Sequence, residues 1–261
     1  MHWTRKIALA CAAACLATGG AQAQSGGSAP PDGLSEGEGA GFAKGHYAEL
    51  DAMPDWGGVW FLNRGGPTAQ PKLKGKYQTD WEAWRADVSA NDGVEKRNRS
   101  NCAPPGMPRI MQLAQYPYEF IFSPGRVTIN QEAWMQTRTI WTDGREHPPL
   151  EELDPTYMGH SVGHWEGDTL VVDTIGALDM LPFANGALHS DKFRITERIH
   201  LDPAKPDTLV NEMVMEDPDA LAEPFKATVT YRRDRYGVLY EFQCSENNRN
   251  PVNLDGETEF E

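Results

Sequence analysis

Downstream of Pro117 the chain reads as short runs in which apolar and polar positions alternate, the two-residue period of half-buried β-strands. Tyr118, Phe120 and Phe122 share one side of a run, Pro124-Gly125 supplies a turn, and Val127 and Ile129 resume the pattern. Residues 134–142 predict a third strand of this series, ended by Asp143-Gly144, and residues 159–175 a hairpin about Gly167-Asp168. Phe193, Ile195, Ile199 and Leu201 lie on one face of a further strand, and residues 209–216 form another. Phe225, Ala227, Val229 and Tyr231 alternate with Lys226, Thr228, Thr230 and Arg232, and Val238, Tyr240, Phe242 and Cys244 close the series. Upstream, Trp56 to Trp60 reads as a short strand, and Trp81, Trp84 and Val88 at helical spacing predict one short helix over 79–88. About nine or ten strands joined mostly by short turns predict an all-β fold, an antiparallel up-and-down barrel whose closure leaves no exposed edge.

The N-terminus carries a different pattern. Arg5 and Lys6 precede an apolar run from Ile7 to Ala17, and Ala21-Gln22-Ala23 places small residues where a signal peptidase would cut. This is the order of a secretory signal, and the run is too short for a bilayer, which needs about 20 residues. We therefore expect residues 1–23 to be a signal peptide. Residues 24–54, rich in Gly, Ser, Pro and acidic residues, are expected to be a flexible leader, and residues 55–261 a single domain in the periplasm or outside the cell. Loss of Arg5 and Lys6 leaves 22 basic residues against 38 acidic ones, a net charge near −16. That charge disfavours nucleic acid and anionic membranes as partners, and membrane insertion is not expected. Cleavage also removes Cys11 and Cys15, so Cys102 and Cys244 are the expected disulfide.

Chemistry concentrates between Trp141 and Thr174. If Gly167-Asp168 is a two-residue turn, Val162 faces Asp173 and His160 faces Ile175, which makes His160 and Asp173 diagonal neighbours. A carboxylate beside an imidazole is how a histidine is prepared as a general base near neutral pH. The face that carries them, with Val162, His164 and Val171, either points to solvent or lines a pocket. His160 and His164 have the spacing of a helical zinc pair, but on a strand their Cα atoms stand about 13 Å apart, so no metal site is expected. Glu197 is in phase with Phe193, Ile195 and Ile199, which demands either an internal salt bridge, with Arg126, Arg138 or a neighbour of Arg198 as partner, or a wet pocket. His189 precedes that strand in a loop, where site residues concentrate.

Several of these segments resemble an exported bacterial family of proteobacteria and acidobacteria. The motifs are Thr142-Asp143-Gly144-Arg145 with His147-Pro148, Pro155-Thr156-Tyr157 with Gly159-His160-Ser161, the run from Trp165 to Thr174, and Glu246-Asn247-Asn248-Arg249. The chain departs from that pattern at His164, where arginine is commoner, and at Ala177, where an aromatic is usual. The resemblance implies no particular reaction. The opening Gly58-Val59-Trp60 is similar to the start of lipocalins, which implies a lipocalin-like barrel around a cavity for an apolar small molecule.

Two functions follow as expectations. One is a cofactor-independent enzyme, a lyase, isomerase or hydrolase, acting on a small organic substrate in the barrel cavity. His160 would be its base, Asp173 the orienting carboxylate, Tyr157, His189 or Glu197 acid or polarising groups, and Arg145, His147, Trp165 and Asn247 substrate contacts. The other is a non-catalytic carrier of an apolar ligand.

Overall fold

The computed structural model describes residues 48–63, 69–93 and 102–243, all within the unit His46–Glu261. Among them nine strands close into a barrel in chain order. They are β1 (Val59–Leu62), β2 (Tyr118–Ser123), β3 (Arg126–Gln131), β4 (Gln136–Trp141), β5 (His160–Glu166), β6 (Thr169–Ile175), β7 (Arg194–Asp202), β8 (Lys205–Glu216) and β9 (Phe225–Asp234). A single helical turn, α1 (Ala48–Asp51), precedes β1, and one longer helix, α2 (Gly75–Ala90), follows it. The expected all-β barrel with a short helix is therefore present, and α2 extends the predicted span by several residues at its start.

Two expectations are corrected. The barrel is mixed: β4 and β5 pair in parallel through Ile140↔Ser161 and Trp141↔Val162, while its other neighbours are antiparallel. Two strands can run parallel only if the chain leaves the wall and returns between them, and residues 142–159 do so. The second correction concerns 235–243, none of which is in a strand. Both sides of β9 are already taken, by β8 and by β1 through Val59↔Asp234 to Leu62↔Tyr231. Phe242 instead packs on Tyr116 and Trp134, at ring separations of 5.4 and 5.7 Å. The strand predicted over 134–142 is shortened at its start, because Trp134 and Met135 take positive φ.

The alternation read from the sequence sorts side chains across the wall. Val127, Ile129, Ile140, Leu170, Val172, Ile195, Ile199, Leu209, Met213, Val229 and Tyr231 are buried in the core, each fully buried large side chain stabilising by about 1.5–3 kcal/mol. At one end of the barrel Trp56 meets Phe122 and Trp165 at 5.3 and 5.5 Å. At the other, the turn Arg109–Gln112 is bound to the barrel: the Tyr231 hydroxyl donates to the Met111 carbonyl at 2.6 Å, and Gln131 and Tyr118 donate to that of Ile110 at 2.9 Å. No helix among the described residues is long and apolar enough to cross a membrane.

Candidate functional site

The β5–β6 hairpin has the register expected from its turn, with Glu166↔Thr169, Val162↔Asp173 and His160↔Ile175. Ser161, Leu170, Val172 and Thr174 face inward and are buried. The alternation turns His160, Val162, His164, Val171 and Asp173 outward, so the mixed face does not line the barrel interior. Its two halves differ. His164 is exposed and pairs with Glu166, which also binds Arg198. Around His160 the face is sheltered, with side-chain exposures of 14% for His147 and 20% for Asp173.

The shelter comes from the crossover 142–159. Because that segment must return to set β5 parallel to β4, it carries His147 onto the outer face of the hairpin. Nδ1 of His147 lies 2.8 Å from Nδ1 of His160, and its Nε2 lies 3.1 Å from Oδ2 of Asp173. Arg194, at the start of β7, grips the same carboxylate from outside, Nε donating to Oδ1 at 2.6 Å and Nη2 to Oδ2 at 2.5 Å. Arg145 lies over the Trp141 ring at 3.7 Å and pairs with Asp143 at 2.5 Å, which holds the Asp143 carboxyl below the usual carboxylate range. Burial, and after it the neighbouring His147 and Arg145, push the His160 imidazole below its ordinary value. His160 is thus held neutral, as a base rather than an acid, at neutral pH.

The predicted direct contact of Asp173 with His160 is replaced by a chain in which His147 stands between them. His147 was expected only as a substrate contact, and Arg194 was missed. The signal for Arg194 is in the register: Asp173 faces Thr196 on β7, which puts Arg194 on the adjacent diagonal.

The remaining predicted residues lie elsewhere. Glu197 is fully buried inside the barrel, bidentate with Arg138 and hydrogen-bonded to Asn211 Nδ2 at 2.8 Å. Arg138 also donates to Thr174 at 2.9 Å and Ser161 at 3.2 Å. This is the internal salt bridge foreseen as one alternative. His189 is in its loop but only 2% exposed. Its ring stacks on Phe193 at 4.2 Å, its Nδ1 lies 2.8 Å from the Ser190 carbonyl, and burial lowers its pKa. Trp165 belongs to the aromatic cluster with Trp56 and Phe122. Tyr157 uses its carbonyl to accept from the Met107 amide at 2.8 Å. Glu197, His189 and Trp165 have their contacts away from the His147–His160 pair. Asn247, residues 1–47 and Cys244, and with Cys244 the expected Cys102–Cys244 disulfide, lie outside the described residues. Among the described residues no group of three or more His, Cys, Asp or Glu side chains is placed to hold a metal ion. Compared with protein-family models and with curated proteins, the chain matches none.

Proposed function

We propose that the protein is an exported, cofactor-independent enzyme that does acid–base chemistry on a small organic substrate. The reacting group would be His160, on the outer face of β5–β6 rather than in the barrel interior. One observation carries this reading: a sheltered imidazole at the end of a chain of three contacting groups, Asp173, His147 and His160. Such a chain holds a base in one orientation and gives an abstracted proton somewhere to go. Arg145 is the cation whose field reaches His160, so charge developing on a deprotonated substrate would be stabilised there. Removal of a proton next to a carbonyl or carboxylate, as a lyase or isomerase requires, fits these groups; activation of water for hydrolysis uses the same base. The lipocalin-like carrier is the weaker reading, because an apolar ligand in the barrel would meet the Arg138–Glu197 pair.

The test is a turnover screen of the secreted form over small carbonyl compounds, carboxylic acids and esters, with His160→Ala alongside. Loss of about 10²–10⁴-fold in rate at unchanged thermal stability is expected of a general base. An active wild type with equally active His160→Ala would sink the assignment, and binding of apolar ligands without any turnover would favour the carrier.

A further inference from the structure

His147 and His160 approach through nitrogens of the same kind, Nδ1 to Nδ1, at 2.8 Å. Two bare lone pairs repel at that distance, so a proton or a metal ion must lie between them. Around the gap no third ligand completes a metal set among the described residues, and Asp173 contacts His147 on the opposite nitrogen. A proton remains, and the neighbours decide which ring owns it. The Asp173 carboxylate, doubly bound by Arg194, can only accept, so Nε2 of His147 carries a hydrogen. When both rings are neutral each has one N–H, which makes Nδ1 of His147 an acceptor and assigns the shared proton to Nδ1 of His160. Nε2 of His160 is then left bare.

We propose that Asp173 sets the tautomers of both rings, making Nε2 of His160 the base and His147 the group that stores the proton. When Nε2 takes a proton from the substrate, the Nδ1 proton of His160 passes to Nδ1 of His147. His160 ends neutral with the hydrogen on its other nitrogen. His147 ends as an imidazolium against the Asp173 carboxylate, and the substrate retains the electron pair. His147 and Asp173 are thus positioning residues, and of these three groups only His160 touches the substrate. The catalytic consequence rests on the function proposed above; the tautomer assignment stands without it.

Nitrogen-15 NMR of the uniformly labelled secreted form reads both tautomers directly. The expected result is a protonated Nδ1 with a bare Nε2 on His160, the reverse on His147, and a scalar coupling between the two Nδ1 nuclei across the hydrogen bond. His147→Ala, a change in the crossover rather than the wall, should return the His160 hydrogen to Nε2, and Asp173→Ala should abolish the single tautomer of the pair. A purely structural role would move neither signal. A hydrogen on Nε2 of His160 in the wild type overturns the proposal, as does stoichiometric uptake of Zn²⁺ or Cu²⁺ that shifts both Nδ1 signals. Correct tautomers with turnover unaffected by His160→Ala would sink the assignment of His160 as the base and leave the tautomers standing; inverted tautomers with turnover lost would sink the relay alone.

Discussion

Glu197 shows how far one residue can be read. Its place among Phe193, Ile195 and Ile199 requires a partner or water, and the structure supplies Arg138, fully buried beside it. Taking two charges out of water is costly, and removal of one leaves the other unpaired in the core. Glu197→Ala should therefore destabilise the barrel by about 3–5 kcal/mol in urea unfolding, whereas Arg138→Met combined with Glu197→Leu should lose far less. Equal losses in the single and the double variant would contradict that account. The need for a partner was legible because burial follows from strand phase. The choice of Arg138 over Arg126 was not, because it depends on which strand stands across the barrel.

At the scale of elements the β5–β6 hairpin was legible to the residue pair, since a two-residue turn and a period of two leave one register. The parallel seam beside it was not. Gly163 marks that seam: a Cβ there would stand 2.9 Å from Ile140 Cγ2 on β4 and 3.0 Å from the Val171 carbonyl on β6. Gly163→Ala should cost about 1–3 kcal/mol as an overpacked contact, measured by the same unfolding curves; an unchanged midpoint would mean that the wall gives way freely. The loop after β8 is tied in another way. Burial alone would raise the Asp217 carboxyl, but it accepts from the Ser190 amide and hydroxyl and from the amides of Asp219 and Ala220, and these hold it below the ordinary value. Asp217→Ala should release the segments on either side of β7 and β8, seen as faster amide exchange at Ser190 and Ala220 than at the barrel strands.

For the whole molecule these shifts add up to a pH dependence in two stages. His160 and His189 have folded values below the ordinary 6.5, so on acidification the unfolded chain takes up protons first. Stability is then full above that value and falls as pH drops from it toward the folded values. His189 also feels Asp217 and Asp179, which oppose its burial without cancelling it. Asp217 acts lower: its contribution is present above the ordinary carboxyl value of 3.8 and is lost as pH falls through its depressed folded value. His189→Phe should flatten the first stage and leave the second, by urea unfolding across pH 7 to 3. An unaltered first stage would assign it to other groups. By itself the sequence determined the strands from β2 to β9, the hairpin register, the all-β barrel class and, Arg194 apart, the residues from which a site is built, because turn chemistry and side-chain alternation are local. Only the tertiary structure decided the parallel β4–β5 seam, the separation of Glu197 from His160 across the barrel wall, and the insertion of His147 between His160 and Asp173. Those depend on where a long crossover returns, and no local period encodes the path of a chain that has left the sheet.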